Sequence, residues 1–466
     1  MEPRCAGRSC VRARTGTALV LSAALVLSAG QASGQAGSPA GPVPPQLLAA
    51  RRAALMGRLG TGVVVVRSAE EREDEAHAQD SSFRQDDDFF YLTGVEEAGS
   101  VLVGVADGAG GGRWRLYVPE RVPDQEQWTG ARLGAGAEAV ALTGVADVRA
   151  AARVVADAPE LLAAGGGAGG TLWVGGAAPR SCAVRGAGCM DALVAPFAAG
   201  AGGTVAPLGP QLAGLRLMKD ADELRRMRQA IAITVAAQRE AMGSAAPGQH
   251  EYEVEAVIEA AFRRRGAERV GFPSIVGSGP NSTVLHYDAN RREMRSGDLV
   301  VMDIGAEYGY YAADVTRTIP VTGRFTGRQR AVYDLVLGAQ QAAIDSVRPG
   351  TTLGRLELIA REYMRANSGT ICGGGSCDRF FIHGLSHWLG MDVHDVGSYA
   401  TTLQPGMVLT VEPGVYLPGE SLGVRIEDDV LVTAAGHEVL SAGAPRQAAE
   451  VEQLMHAGAA PAAAKR

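Results

Sequence analysis

The sequence predicts an α/β domain followed by a larger α+β domain built from two halves of like design. Strands alternate with helical runs through the first part of the chain, the signature of an α/β unit. Beyond Asp220, two helices precede a run of strands, and the same order returns, at 220–319 and again at 326–433. That repetition reads as an internal duplication in which helices cover antiparallel sheets. The chain's 466 residues are enough for two or three domains.

Residues 1–36 read as a secretion signal. Arg4, Arg8, Arg12 and Arg14 form a basic head, Ala18–Ala29 is an apolar run of 12, and cleavage fits after Ala32 or Ala36. The run is shorter than the ~20 residues of a membrane span. No cysteine follows it to carry a lipid, so no stable membrane anchor is expected. A flexible leader occupies 37–48, its end already entering a helix predicted from Pro45 to Leu59. Gly62–Val66 is a buried strand, and Tyr91-Leu92-Thr93 is a second, ended by Gly94. Val101–Val105 and Trp114–Val118 form a hairpin across a turn at Asp107–Gly112. Val145–Ala156 is helical, and Thr171–Val174 is another strand.

The first domain is expected to cover 49–211 and the second 212–455, with a disordered tail at 456–466. Asp220 opens the first long helix of the second domain: it suits an N-cap, and Glu223 stands three residues on, as a capping box requires. Leu224, Met227, Ile231 and Val235 hold the helical spacing, and 251–265 is a second helix. Strands are expected at 270–277, 283–287, 298–304 and 310–319. Helices follow at 326–346 and 353–367, and then three final strands carry His387 to Glu427.

The net charge of −7 argues against a nucleic-acid partner. Lysine occurs only as Lys219 and Lys465, so arginine carries nearly all the positive charge. Cys5 and Cys10 leave with the signal. Cys182 and Cys189, and Cys372 and Cys377, form two sequence-close pairs, and local disulfides are their simplest pairing in an oxidising compartment. Free thiols and cross-pairing remain alternatives. Neither spacing is the CxxC of a zinc site.

Five groups able to bind metal follow one another in the second domain: Asp303, Asp314, His387, Glu412 and Glu427. Four carboxylates cannot share a half-buried site unless cations neutralise them. One imidazole among four carboxylates is an oxygen-rich set, suited to two hard divalent ions. Two such ions about 3.5–4 Å apart form a hydrolytic centre. Manganese fits best, with zinc or cobalt as alternatives. His286, His383 and His394 fall near these residues. Asp392 and Trp388 read as structural, and the acidic run Asp86–Asp88 as a solvated turn without chemistry.

These segments resemble the pita-bread metallopeptidases, the superfamily of methionine aminopeptidase, prolidase and aminopeptidase P. The likeness rests on Gly271–Gly279, the two Asp segments, His383–Gly397, Glu412-Pro413-Gly414 and Arg425-Ile426-Glu427. In the first domain Phe83–Gly94 is similar to the N-terminal domain of aminopeptidase P and some prolidases. The likeness covers about 49–455, although 163–204 and Gly369–Asp378 match poorly. It implies that Asp303 chelates the first metal, Asp314 and Glu427 bridge both, and His387 and Glu412 complete the second. It also implies that His394 binds the substrate near the scissile carbonyl, His286 stabilises the tetrahedral intermediate and His383 lines the pocket. Glu412 would shuttle a proton, and Arg425 would orient a bridging carboxylate.

The nucleophile so implied is a hydroxide activated by the two metals. The implied activity is removal of the first residue from peptides with proline second. Ser386-His387-Trp388 is closer to aminopeptidase P than to prolidase, where Gly and Phe commonly flank the histidine. A prolidase acting on Xaa-Pro dipeptides is the alternative. A non-catalytic binding module is the distant one, disfavoured because all five ligand positions are filled. The resemblance further implies a homo-oligomer, a dimer or tetramer, in which Trp128 lines a neighbour's substrate pocket.

Overall fold

The computed structural model of the chain describes residues 40–70, 83–177 and 194–458. The signal segment and the pair Cys182 and Cys189 lie outside them. Among the described residues no helix is long and apolar enough to cross a membrane.

Strands β1 (Thr61–Arg67), β2 (Val101–Asp107), β3 (Gly112–Val118), β4 (Asp147–Ala150), β5 (Thr171–Gly176) and β6 (Val205–Pro207) build the first domain. They form one mixed sheet in the order β4-β3-β2-β1-β5-β6. β2 and β3 are the expected antiparallel hairpin. The centre of β1, Val63–Val66, is apolar because consecutive side chains face opposite sides, and both sides are covered. Val64 and Val66 pack with Leu48 and Leu55 of the helix Pro45–Met56. Val63 and Val65 pack with Leu161 and Phe197, from helices on the other face.

Local chemistry overrides three expectations here. Of the expected leader 37–48, the described residues 40–48 are not free: Val43 and Leu48 are buried, and the helix has begun by Pro45. Tyr91–Thr93 is not a strand but the end of a helix, Asp87–Thr93. Aromatic residues favour strands, but Asp86 accepts a hydrogen bond from the Phe89 amide as N-cap, and Gly94 ends the helix at φ 65°. Val145–Ala156 begins as β4, which pairs in parallel with β3, and the helix starts only at Val154.

The second domain opens on the helix Ala221–Ser244, with the expected capping box between Asp220 and Glu223. The helix Glu251–Arg264 follows. Strands β7 (Arg269–Val270), β8 (Ile275–Ser278), β9 (Leu299–Ile304), β10 (Ala306–Tyr308), β11 (Tyr311–Ala312) and β12 (Val315–Pro320) complete the first half. Helices Gly327–Ile344 and Leu353–Asn367 then lead to β13 (Val408–Val411), β14 (Gly414–Leu417), β15 (Leu422–Arg425), β16 (Asp428–Thr433) and β17 (Gly436–Val439). Each half contains a three-stranded antiparallel sheet, β12-β9-β8 and β13-β16-β17.

Two buried glutamines mark the duplication. Gln238, on the first helix of the first half, donates to the carbonyls of Met302 (3.0 Å) and Val315 (2.7 Å). Gln340, on the first helix of the second half, donates to the Val411 carbonyl (3.1 Å) and to Asp428 Oδ2 (3.0 Å). Met302 and Val411 directly precede Asp303 and Glu412. Val315 and Asp428 directly follow Asp314 and Glu427. Each glutamine thus staples two strand ends at the same relative place.

The strand expected at 283–287 is replaced by a 3-10 helix, Gly279–Thr283, and irregular chain through His286, with Pro280 at the turn. The run 270–277 splits at Pro273, which has no amide for a sheet. His387 is not on a strand: its segment is irregular, but it lies along β13 through a bridge, Trp388 to Leu409, flanked by backbone hydrogen bonds from the Leu389 amide to the Val408 carbonyl (3.2 Å) and from the Thr410 amide to the His387 carbonyl (3.0 Å). Trp388 itself is wholly buried. The helix Ala448–Gly458 runs past the expected start of the tail. Cys372 and Cys377 are joined in a disulfide, their Cα atoms 5.3 Å apart.

Candidate metal centre

Strand register brings the acids together. β12 pairs with β9 so that Thr316 faces Asp303, and Asp314 lies just before β12. Glu412 follows β13, and Glu427 sits in the short link between β15 and β16. The Glu427 amide donates to the Thr316 carbonyl at 3.1 Å, which locks one half of the duplication to the other. His387 arrives from its irregular segment. All five residues line one cavity of about 280 Å³, together with His286, His383, His394 and Arg425. A larger cavity in the first domain, about 530 Å³ beside Met56 and Trp114, has no histidine and one carboxylate in its lining, so the chemistry lies in the smaller.

His387 Nε2 lies 3.4 Å from Asp314, 3.5 Å from Glu412 and 3.9 Å from Glu427. Its Nδ1 lies 3.1 Å from the Trp388 carbonyl, which can only accept, so Nδ1 carries the proton. The Nε2 lone pair then faces three carboxylates, which requires a cation between them. Asp314, His387 and Glu427 each offer one ligand atom within 4.8 Å of the others.

The carboxylates are prepared for that cation. Asp303 Oδ1, Asp314 Oδ1 and Glu427 Oε1 are buried and have no hydrogen-bond partner among the described residues. The second oxygen is held in two of them: Asp303 Oδ2 by Arg425 Nη2 at 2.5 Å, and Glu427 Oε2 by Thr316 Oγ1 at 2.6 Å. One oxygen fixed and one left open suits a ligand oriented from behind. Burial and the neighbouring carboxylates push Asp314 and Glu427 far above the usual carboxylate range. Burial pushes Glu412 up to about 7, against the pull of His387 and Arg425. Carboxylates so close together ionise together only with positive charge among them. The donor set therefore fits hard divalent cations.

Around this core, one hydroxyl joins two groups. His383 Nδ1 lies 2.9 Å from the Gly384 carbonyl, so Nε2 accepts from the Tyr416 hydroxyl at 2.8 Å. Arg425 Nη1 donates to the same hydroxyl oxygen at 2.9 Å. Burial, with Arg425 nearby, lowers the His383 pKa to about 4. Tyr416 escaped the sequence reading. The available signal was Gly414, where an added Cβ would meet the Tyr416 hydroxyl at 2.5 Å.

Arg425 was expected to orient a bridging carboxylate. Its hydrogen bond goes instead to Asp303, the acid expected on the first metal alone. His286 and His394 are exposed at the mouth, and the His394 ring centroid lies 4.3 Å from that of His387. Ser386 and Tyr399 also line the cavity and had been given no role.

Residues 225–434 match metallopeptidase family M24, and 48–167 match the aminopeptidase P N-terminal domain. The Xaa-Pro aminopeptidase of Escherichia coli is 36% identical over 437 residues, 87% of this chain and 96% of that protein. The chain belongs to metallopeptidase family M24. Within this family its structure is similar to zinc-substituted Escherichia coli aminopeptidase P with product bound. The TM-score is 0.81 and the identity 33%, over 90% of this chain and 99% of that one. It is also similar to proline aminopeptidase P II from Yersinia pestis, with TM-score 0.79 and identity 34%, over 89% and 100%. The architecture is that of aminopeptidase P, an N-terminal domain followed by a pita-bread M24 domain.

Proposed function

We propose that this protein is a metal-dependent Xaa-Pro aminopeptidase, which removes the first residue of peptides whose second residue is proline. The observation that carries this is the convergence of three carboxylates on the unprotonated nitrogen of His387, with Asp303 lining the same cavity, in an aminopeptidase P framework. Asp303, Asp314, His387, Glu412 and Glu427 would hold two divalent cations. When bound, these supply Lewis-acid activation of water and of the scissile carbonyl.

The chain's own residues do the rest. Arg425 and Thr316 hold Asp303 and Glu427 in place. Glu412, half-buried beside His387 and within 3.7 Å of His383, would carry a proton from water to the leaving nitrogen. His394 and His286, exposed at the mouth, present ring nitrogens to the substrate carbonyl and to the oxyanion that forms from it. The X-Pro bond has no N–H and carries a ring on its nitrogen, so a dedicated site for it is chemically reasonable.

An observation separates this reading from a prolidase. A dipeptide's free carboxylate needs a cation in the pocket. Among the described residues lining the cavity, Arg425 is the only lysine or arginine, and it is occupied by Asp303, Tyr416 and the Leu285 carbonyl. A longer peptide carries its carboxylate out of the cavity.

Manganese is the metal favoured by the oxygen-rich donors, with zinc and cobalt as competitors. Stripping the protein with a chelator should abolish peptide hydrolysis, and Mn2+ should restore it. Full activity in a metal-depleted sample would overturn the reading. Export after cleavage of 1–36 is supported by the signal pattern and by the Cys372–Cys377 disulfide. A mature N-terminus at Met1 would refute it. A homo-oligomer is favoured by Trp128, which is 89% exposed and free to reach a neighbour's pocket. A monomer by light scattering would remove that role.

A further inference from the structure

The segment His387–Gly397 carries two histidines of the site; backbone bonds tie its start to β13, from the Thr410 amide to the His387 carbonyl at 3.0 Å and from the Leu389 amide to the Val408 carbonyl at 3.2 Å, but beyond Gly390 it is irregular chain. Three basic side chains grip it at two points. Arg84 Nη2 donates to the Met391 carbonyl at 2.7 Å. Arg216 Nη2 lies 2.6 Å from Asp395 Oδ1, and Lys219 Nζ lies 3.2 Å from Asp395 Oδ2. Asp395 directly follows His394. Its backbone amide donates to the Trp388 carbonyl at 2.9 Å, the same oxygen that receives His387 Nδ1–H.

Both grips lead back to one carboxylate of the N-terminal domain. Asp87 Oδ1 binds Arg84 at 2.7 Å, and Asp87 Oδ2 binds Arg216 at 3.0 Å. Asp88 adds a bond to Arg216 at 2.9 Å. The acidic run is therefore not a solvated turn. It is the first turn of a helix, facing the catalytic domain.

The fit is close as well as charged. Lys219 is wholly buried, and it is the only lysine among the described residues of a chain that otherwise uses arginine. An added Cβ at Gly390 would meet Asp395 at 2.0 Å and Lys219 Nζ at 3.1 Å, so the space admits a compact ammonium and no more.

We propose that Asp87 is a positioning residue for His394. It holds Arg84 and Arg216, which fix the segment His387–Gly397 from two sides. The N-terminal domain thereby takes part in setting the catalytic geometry. Release of either grip lets His394 drift from the reacting carbonyl, and an error of about 1 Å there can cost up to a hundredfold in rate.

The inference rests on the aminopeptidase reading. Wild-type turnover of Ala-Pro-Ala is the control that separates failure of one from failure of the other. The test is the double substitution Asp87→Asn/Asp88→Asn in the full chain with Mn2+. It should lower kcat on Ala-Pro-Ala about tenfold, leave KM within about twofold, and leave the bound metal per chain unchanged. A purely structural contact would lower the melting temperature and leave kcat of the folded protein at the wild-type value, which would overturn the proposal. Should the double variant fail to fold, Asp87→Asn alone is judged by the same criterion.

Discussion

Tyr416 links two parts of the site through one oxygen. It accepts from Arg425, which orients Asp303, and donates to His383, which is thereby held neutral at the pocket wall. Tyr416→Phe keeps the ring and removes the link. Side chains bound in such a chain support one another, so kcat on Ala-Pro-Ala should fall by about tenfold or more, with the thermal midpoint moved only a few degrees. Unchanged kcat would show that His383 and Arg425 stand without it. The five acid and imidazole residues were legible in the sequence because each sits in its own short motif. Tyr416 was not, because its part depends on a chain path that only Gly414 permits. The hydrogen bond from Arg425 to Asp303 was equally hidden, since 122 positions separate the two residues.

At the scale of elements, the duplication was legible in the order of helices and strands, and the glutamine staples give it physical content. Gln340→Leu retains much of the volume while leaving the Val411 carbonyl and Asp428 short of a donor. Its cost should be about 1–3 kcal/mol of stability, read by urea unfolding, together with weaker Mn2+ binding because Glu412 and Glu427 flank the staple. Binding unchanged to within experimental error would limit Gln340 to a packing role. The elements that were misread share a cause. Tyr91–Thr93 has strand-like side chains, but Asp86 and Gly94 cap the segment at both ends as a helix. Residues 145–150 have helical spacing, but β3 offers an unpaired edge. His387 is bonded to β13 through its carbonyl without joining a regular strand, and the chain beyond it is held by side chains distant in sequence, which no local pattern reveals.

Across the whole molecule, the two domains meet through buried charge. Burial alone would raise the Asp395 carboxyl, but Lys219 and Arg216 hold it below the usual range. A carboxylate depressed in the fold contributes stability above its unfolded pKa, about 4, and loses it as pH falls through the folded value. Asp395→Asn should therefore cost about 3–5 kcal/mol at pH 7, because it leaves the buried Lys219 without its anion and takes one of three carboxylates from Arg216. The gap from wild type should narrow below about pH 4. A gap that stays constant down to pH 3 would mean the carboxylate is not ionised in the native protein.

The central claim is met most directly by one comparison: hydrolysis of Ala-Pro-Ala and of Ala-Pro by the purified protein with Mn2+, followed by mass spectrometry. The account predicts release of Ala from the tripeptide and little or none from the dipeptide, whose carboxylate finds no free cation in the pocket. Cleavage of the dipeptide alone would contradict it and make the protein a prolidase.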